Sequence, residues 1–311
     1  MINCKSFTNK ILLALLILSG AFLLYTSCSH PMSSSSYVVF GTECQMVLPV
    51  SDQRKYFDIL RDMEKKFSYR DENSEIAAIN NNAGISPVKV SNETYYVVSE
   101  AIRFSKETEG AFNPVLLPVI KLWGWNTGEY RVPSKDEIES LLPLCNTDDI
   151  ILNEDDKSVF LTKKGMGLDL GGLIKGYACD VLYERLKKDG IKKGIINLGG
   201  NVFVFGDKEY RVAIQQPYAE RGEVFNSLFV KNKSVVTSGA YERGFYSDGK
   251  YYHHIINPAT GECAQEIYKS VTVVSPSSLV ADVYSTSIFV KGDILKEQFL
   301  SIYPDSDVIL K

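Results

Sequence analysis

A glycine-rich stretch over residues 165–201 constrains the fold more than any other part of this chain. In it, one acidic residue, Asp169, is followed at once by the pair Gly171-Gly172 and then by a helical pattern. The free backbone N–H groups of a first helical turn and the positive end of the helix dipole favour an anion at such a position. A second glycine pair, Gly199-Gly200, would let backbone approach whatever the first pair holds.

The helix between the two glycine pairs has an apolar face at three- and four-residue steps, and Gly190 ends it. Asp180, Glu184 and Lys187 are expected on the opposite, polar face. The stretch lacks the spacing of a Walker or dinucleotide-binding fingerprint, so a plain strand-to-helix turn is the alternative to a phosphate site. The apolar residues are Leu173, Ile174, Tyr177, Ala178, Val181, Leu182 and Leu186.

Composition is that of an ordinary globular protein, with 311 residues, 45% hydrophobic and 23% charged. This length suits one large domain or two closely packed lobes. The formal net charge of −4 gives no electrostatic case for nucleic acid, so we expect no nucleic-acid partner. Beyond the N-terminus, no segment approaches the run of about 20 apolar residues that spans a membrane.

The N-terminus has the layout of a secretory signal peptide, with basic residues, a short apolar core over 11–18 and then small residues. Cys28 directly after small residues resembles a bacterial lipoprotein lipobox, although Tyr25 departs from the usual aliphatic residue. We therefore predict a lipoprotein signal peptide over 1–27, a serine-rich tether over 28–36 and a folded domain over 37–311. A simple N-terminal membrane anchor is the alternative.

Four cysteines remain after Cys4 and Cys28 are assigned to the signal and the lipid. They are widely spaced, with no C-x-x-C pair and no histidine at zinc-ligand spacing, so we expect buried free thiols for most of them. A disulfide stays open as an alternative. The four are Cys44, Cys145, Cys179 and Cys263.

Helical and strand patterns come in blocks without strict alternation, which indicates an α+β fold. Ser51 is predicted to cap a helix ending near Phe67, and Ser134 with Glu137 forms a capping box. Beyond residue 201 the pattern is rich in strands, and a helix begins at Ser277 or Ser278.

Oxygen-bearing side chains near the C-terminus suggest a metal site. Asp282 and Thr286 lie four residues apart, on one face of a predicted helix, and their oxygens suit Mg²⁺. A solvated helix face is the alternative. His253 and His254 point to opposite faces of a strand, so a structural role is favoured for His253. The segment 237–243 offers a phosphate or ribose surface, or equally a plain turn.

Taken in order, these motifs resemble the ApbE family, the FAD:protein FMN transferases. The resemblance extends from Phe40 to Gly292, and the joint order of the motifs makes it specific. The motifs are Ser74-Glu75-Ile76, Gly110-Ala111-Phe112-Asn113-Pro114, Leu122-Trp123-Gly124-Trp125, Asp169-Leu170-Gly171-Gly172-Leu173-Ile174-Lys175-Gly176, Asn197-Leu198-Gly199-Gly200-Asn201, Thr237-Ser238-Gly239, His254-Ile255-Ile256-Asn257-Pro258 and Ala281-Asp282 followed by Ser285-Thr286.

The resemblance implies a fold and an activity. The fold would be α+β, with T-fold-related mixed sheets flanked by helices in a single compact, two-lobed catalytic unit. The enzyme would use Mg²⁺ to transfer FMN from FAD to a threonine or serine of a target flavoprotein, releasing AMP. An FAD pyrophosphatase and a flavin-binding lipoprotein without turnover are the alternatives.

The resemblance also implies site residues. Asp282, Ser285 and Thr286, with the backbone carbonyl of Gly172, would hold Mg²⁺. Cleavage of a pyrophosphate by a hydroxyl also needs a proton acceptor, for which Asp282 and His254 are both candidates. Contacts to FAD would come from Phe40, Tyr69, Ala111, Phe112, Asn113, Asp169, Lys175 and Ile256.

Three residues depart from the family pattern. Phe40 stands where methionine is common, while Asn113 and Asn257 stand where aspartate is usual.

The resemblance also implies acceptor proteins and a location. The expected acceptors are subunits of sodium-pumping or Rnf-type electron-transport complexes. Lipid on Cys28 would anchor the enzyme to the extracytoplasmic side of the bacterial inner membrane.

Overall fold

The structure, a computed structural model, describes residues 31–220 and 222–311. Its helices are α1 Arg54–Phe67, α2 Glu75–Asn81, α3 Asn92–Glu107, α4 Leu117–Leu122, α5 Lys135–Leu141, α6 Ile174–Lys188, α7 Ser278–Lys291 and α8 Asp293–Ile302. Its strands are β1 Ser33–Val39, β2 Thr42–Leu48, β3 Val88–Lys89, β4 Ile150–Asn153, β5 Ser158–Leu161, β6 Gly194–Leu198, β7 Asn201–Phe205, β8 Tyr210–Gln215, β9 Val224–Val230, β10 Lys233–Gly239, β11 Gly244–Ser247, β12 Lys250–His253, β13 Ser270–Ser275 and β14 Asp307–Leu310.

A seven-stranded antiparallel sheet, ordered β1-β2-β6-β7-β10-β13-β14, forms the centre of the fold. Its strands follow the order of the chain, with helices and smaller sheets inserted between them. The smaller sheets are β3-β5-β4, β8-β9 and β11-β12, also antiparallel. The α+β class expected from the sequence is confirmed.

The middle strands β6 and β7 of the central sheet are buried on both faces, because successive residues of a strand point to opposite faces and apolar residues occupy both. On β7, Phe203 and Phe205 face the main core, where the helices pack, whereas Val202 and Val204 face a second core. Val212 of β8 and Val230 of β9 close that second core. Strands buried on both faces read as continuous apolar runs, as β6 and β7 do.

Helices α6 and α7 pack against each other, with a close contact at Gly176. A Cβ atom there would lie 2.5 Å from the carbonyl oxygen of Ser278 and 2.7 Å from the Cα of Leu279. No side chain fits in that space, so glycine is required for this helix contact. This contact brings the start of α6 next to the first turns of α7, including Asp282.

Two hairpins of the central sheet end side by side. Phe40 and Gly41, between β1 and β2, have φ values of 55° and 68°; Gly199 and Gly200, between β6 and β7, have 61° and 99°. Two-residue turns with positive φ match the twist of a hairpin. Gly199 N–H donates to the carbonyl of Glu43 at 3.2 Å, which holds the two tips together.

Several local predictions are confirmed. Ser134 and Glu137 form the expected capping box on α5, and the Ser277 hydroxyl accepts a hydrogen bond from Val280 N–H at the start of α7. Gly190 follows α6 with a φ of 76°. The four cysteines Cys44, Cys145, Cys179 and Cys263 are free thiols, and burial raises the pKa of Cys44 to about 12.

Other local predictions are wrong. The expected tether over 28–36 overlaps β1, because Ser33 to Ser36 pair with β2 from Leu48 to Gln45. Helix α1 starts at Arg54 with Gln53 as its N-cap, two residues later than a cap at Ser51 implies. The predicted signal peptide and Cys28 lie outside the described residues. Within the described ranges, no helix is long and apolar enough to cross a membrane.

Candidate active site

The predicted metal-binding residues lie on one face of α7. Asp282 is 5% exposed, and Ser285 and Thr286 follow it at three- and four-residue steps. The Ser238 hydroxyl, near the end of β10, lies 2.9 Å from Ser285 Oγ and 2.8 Å from Thr286 Oγ1. Four oxygen-bearing side chains therefore meet where β10 packs on α7.

A direct hydrogen bond ties Asp282 to the glycine-rich stretch. Gly176 N–H, in the first turns of α6, donates to Asp282 Oδ2 at 2.9 Å. Burial raises the pKa of the Asp282 carboxyl, opposed by the positive charge of Lys175, by the Gly176 N–H and by the Asn201 side chain. Its neighbours thus favour the charged carboxylate, but burial outweighs them and favours the neutral acid. A bound cation would shift this balance toward the carboxylate.

The turn before α6 is shaped by Asp169. Its Oδ1 accepts the Gly171 N–H at 2.8 Å, and its own N–H donates to the Pro114 carbonyl at 2.8 Å. A Cβ atom at Gly172 would lie 3.2 Å from the ring of Phe112. The segment 110–114 and the glycine turn are therefore packed together.

Positive side chains surround Asp169. Burial raises the pKa of its carboxyl, while the Gly171 N–H and then the charges of Arg70, Arg243 and Lys175 act to lower it. Tyr69 is half-buried beside them, and Asp169 adds to the rise of its pKa that burial causes. This cluster offers cations and a phenol to an anionic ligand.

Asn113 is engaged inside the protein. Its Nδ2 donates to the Cys145 carbonyl at 2.7 Å, and its Oδ1 accepts the Val115 N–H at 2.9 Å. An aspartate in the same place has no proton to donate to that carbonyl, which explains why asparagine suits this chain. Ala111 and Phe112 are buried beside it, at 8% and 5% exposure.

The two histidines lie in different surroundings. Buried His253 is used at both ring nitrogens, with Nε2 2.9 Å from the Ala264 carbonyl and Nδ1 accepting the Ile255 N–H at 3.2 Å. His254 is half-buried, and its Nδ1 lies 3.1 Å from the Arg243 carbonyl. A carbonyl only accepts, so Nδ1 carries the proton and Nε2 presents a lone pair.

The pKa of His254 is lowered from its ordinary value to about 4, mainly by burial. The hydrogen bond to the Arg243 carbonyl opposes this fall, whereas the charges of Arg243, His253 and Lys175 add to it. His254 is therefore a neutral imidazole at neutral pH. A neutral imidazole is able to accept a proton.

The two remaining predicted contacts, Phe40 and Ile256, lie in apolar surroundings. Phe40 is at the tip of the β1-β2 hairpin, partly buried against the main core. Bulky residues rarely adopt a positive φ, and such strain is concentrated at functional sites. Ile256, at 6% exposure, pairs with Cys263 and belongs to a smaller apolar core that contains Trp123 and Trp125.

Sequence reasoning missed some of the groups that the fold brings to the site. Ser238 and Arg243 belong to a segment interpreted equally as a plain turn, and Asn201 was noted only as the end of a glycine motif. Arg70 lies in a polar loop of the sequence, where no local pattern indicates a ligand. Asp180 was placed on a polar helix face, yet its carboxylate accepts three hydrogen bonds from the start of α7.

The side chains present fit Mg²⁺. Among the described residues, no three His, Cys, Asp or Glu side chains are grouped to hold a metal ion, which disfavours a zinc-type site. One buried carboxylate and nearby hydroxyls are hard oxygen donors, and Mg²⁺ takes few protein ligands beside substrate phosphates and water. The raised pKa of Asp282 indicates a carboxylate that gains from a bound cation.

A separate groove of about 660 Å³ lies among α1, α3, α6 and the start of α7. None of the predicted site residues lines it. Its charged side chains are mixed in sign and largely paired, as in the contact between Lys66 and Glu93. The predicted site residues therefore lie apart from this groove.

Comparisons with known proteins converge on one family. A model described as the ApbE family matches residues 40–309. An FAD:protein FMN transferase of Klebsiella pneumoniae (strain 342) is 35% identical over 262 residues, covering 83% of this chain and 82% of that protein. One of Treponema pallidum (strain Nichols) is 32% identical over 301 residues, covering 89% and 83%. The crystal structure of the ApbE protein of Thermotoga maritima has a TM-score of 0.82 at 29% identity, covering 90% of this chain and 94% of that one.

Proposed function

We propose a reaction for this chain from the premise that it belongs to the ApbE family and is a transferase. In the proposed reaction, the enzyme moves FMN from FAD to a threonine or serine hydroxyl of an acceptor flavoprotein and releases AMP. The observation that carries the proposal is the link between two motifs. Asp282, with Ser285 and Thr286 on the same helix, is hydrogen-bonded to Gly176, just after the glycine turn. A cation site and an anion site are thereby adjacent, which a pyrophosphate substrate requires.

Asp282, Ser285 and Thr286, with the carbonyl of Gly172, are the proposed Mg²⁺ ligands. Bound there, Mg²⁺ would neutralise charge that develops on the phosphoryl oxygens during cleavage. Ser238 orients the two hydroxyls through hydrogen bonds of 2.8 and 2.9 Å.

FAD is the proposed substrate of the neighbouring cluster. Lys175, Arg70 and Arg243 give the surroundings of Asp169 a positive character that suits the pyrophosphate. Phe40, Tyr69, Ala111, Phe112 and Ile256 are proposed to supply apolar contacts to the rings. Because its amide is engaged internally, Asn113 is proposed to act by shaping the segment 111–113.

His254 is the proposed general base. Its Nε2 takes the proton of the acceptor hydroxyl while the oxygen forms a bond to the FMN phosphorus; the bond to the bridging oxygen breaks, and its electron pair leaves with AMP. We prefer His254 to Asp282 in this role because Asp282 already accepts the Gly176 N–H and is a proposed metal ligand.

The acceptor and the location complete the proposal. We propose sodium-pumping or Rnf-type electron-transport subunits as acceptors, and lipidation of Cys28 as the anchor to the inner membrane. This location would place the enzyme beside membrane-bound acceptors on the extracytoplasmic side.

The deciding experiment incubates the protein with FAD, Mg²⁺ and an acceptor domain that carries a threonine flavinylation motif. We expect AMP release together with covalent flavin fluorescence on the acceptor, both lost with a chelator and in Asp282→Ala. Free FMN and AMP without labelling would instead identify an FAD pyrophosphatase. Intact FAD in the presence of Mg²⁺ and acceptor would leave a flavin-binding lipoprotein.

A further inference from the structure

Helices α6 and α7 exchange carboxylate-to-amide hydrogen bonds in both directions. From α7, Asp282 Oδ2 accepts the N–H of Gly176 on α6 at 2.9 Å. From α6, Asp180 Oδ1 accepts the N–H of Ser278 at 2.7 Å, and its Oδ2 accepts the N–H of Leu279 at 3.0 Å. The Ser277 hydroxyl donates to the same Oδ2 at 2.7 Å.

These bonds satisfy groups that a helix cannot satisfy by itself. The first N–H groups of α7 have no partner within the helix, and they lie at the positive end of its dipole. A carboxylate from a neighbouring helix that accepts three donors there is held in one position, with charge-assisted bonds. Asp180 therefore fixes the start of α7 relative to α6.

The relative position of the two helices matters because the proposed Mg²⁺ ligands are divided between them. The Gly172 carbonyl belongs to the turn before α6, whereas Asp282 and Thr286 lie on α7. Any slide or separation of the helices changes the distance between these ligands. Asp282 is both a helix link and a ligand, but Asp180 is only a link, four residues after Gly176.

We propose that Asp180 is a positioning residue for the magnesium site, which sets the spacing between the Gly172 turn and the ligands on α7. The inference rests on the proposed function for the assignment of the metal ligands. It predicts that Asp180 affects Mg²⁺ affinity although it does not touch the metal.

The test measures Mn²⁺ binding to the full chain directly, by electron paramagnetic resonance of the free ion, with Mg²⁺ competing. Asp180→Asn places an amide donor against backbone donors, and Gly176→Ala forces the helices apart without changing charge. We expect either variant to weaken Mg²⁺ binding about 10- to 100-fold, as loss of a group that orients metal ligands does. Raising the Mg²⁺ concentration should restore kcat in both.

Two controls separate positioning from general stability and from the metal assignment. Ser134→Ala removes the cap of α5, so its melting temperature should fall while its Mg²⁺ affinity stays that of the wild type. Asp282→Ala should abolish binding. If Asp282→Ala binds Mg²⁺ normally, the proposed metal site itself is wrong.

The inference is overturned if Asp282→Ala loses Mg²⁺ while folded Asp180→Asn binds it as tightly as the wild type, whatever the result for Gly176→Ala, whose added Cβ would also lie 2.8 Å from the Cβ of Asp282. Ser277→Ala removes only one of the three donors to Asp180. It supplies the same comparison should Asp180→Asn fail to fold, with a smaller loss of affinity expected.

Discussion

At the scale of single residues, Asp282 shows how burial prepares a carboxylate for a cation. Its pKa is raised by burial from an ordinary value of 3.8, so the folded protein opposes ionisation. In metal-free protein the free energy of unfolding therefore falls as pH rises from below that value through the folded pKa. Bound Mg²⁺ would reverse this cost, since it binds the folded state and favours the charged form.

Asp282→Asn removes the cost of ionisation and keeps an oxygen for the Gly176 N–H. We expect the metal-free variant at pH 7 to melt at the same temperature as the wild type or higher, and to gain nothing from Mg²⁺. Thermal melts with chelator and with Mg²⁺ measure both effects, with the exposed Asp307→Asn as a control that keeps the response. A variant that Mg²⁺ still stabilises would contradict the assignment.

The lowered pKa of His254 leads to a prediction about the pH dependence of the transfer rate. Since its pKa is lowered to about 4, the neutral form that accepts a proton persists well below pH 6.5. We expect kcat/KM for transfer to be level from pH 7.5 down to about 5.5 and to fall only near pH 4. His254→Ala should lower kcat roughly 100- to 10,000-fold. An acid limb between pH 6 and 7 in the wild-type profile would count against His254 as the base.

At the scale of elements, the β1-β2 turn holds Phe40 in a strained backbone conformation at a position proposed to contact the flavin. Phe40 adopts a φ of 55° in the β1-β2 turn, where glycine is favoured. The turn therefore holds an aromatic residue at a conformational cost. Its place beside the β6-β7 tip, whose strand carries Asn201 toward Asp282, supports a role in flavin binding.

Two substitutions separate the strain from the side chain. Phe40→Gly and Phe40→Ala both remove the ring, but only glycine adopts this φ without strain. We expect Phe40→Gly to be more stable than Phe40→Ala by about 1 kcal/mol in denaturant unfolding, while both bind FAD more weakly than the wild type. Equal stability of the two would show that the turn relaxes when the ring is lost.

The capping residues illustrate what local sequence predicts well. Ser134, Glu137 and Ser277 act as the sequence indicates, because a cap bonds to backbone within three residues of itself. Asp180 is the contrasting case. It caps α7 from another helix, 97 residues away along the chain from Ser277, and no local pattern indicates such a partner.

At the scale of the whole molecule, the central sheet begins with the serine-rich segment. Ser33 to Ser36 form the first half of β1, and Gln53 Nε2 donates to the Ser33 carbonyl at 2.8 Å. Gln53 is buried at 1% exposure, so loss of this partner would leave a buried donor with one bond fewer. Residues 33–36 therefore belong to the folded unit.

A truncation tests this boundary. A chain that starts at residue 37 lacks half of β1, so we expect it to melt at least about 2 °C below a chain that starts at residue 31. Identical melting of the two truncations would restore the boundary at 37 that the sequence suggests.

The sequence by itself determined the α+β class, most helices and strands, the glycine turn, the caps and the order of motifs that identifies the family. These features depend on neighbours within a few residues, or on residue identities alone. The serine run is the exception. Its residues have no apolar alternation that would indicate a strand, and they form one only because they pair with β2.

Only the tertiary structure decided which polar groups meet. Gly176 and Asp282 are 106 residues apart, and Ser238 lies 47 and 48 residues before the hydroxyls it contacts. Burial then set the charge behaviour of Asp282 and His254, and internal hydrogen bonds engaged Asn113. The physical reason is that desolvation and hydrogen-bond partners arise from packing between distant segments, which local sequence patterns do not contain.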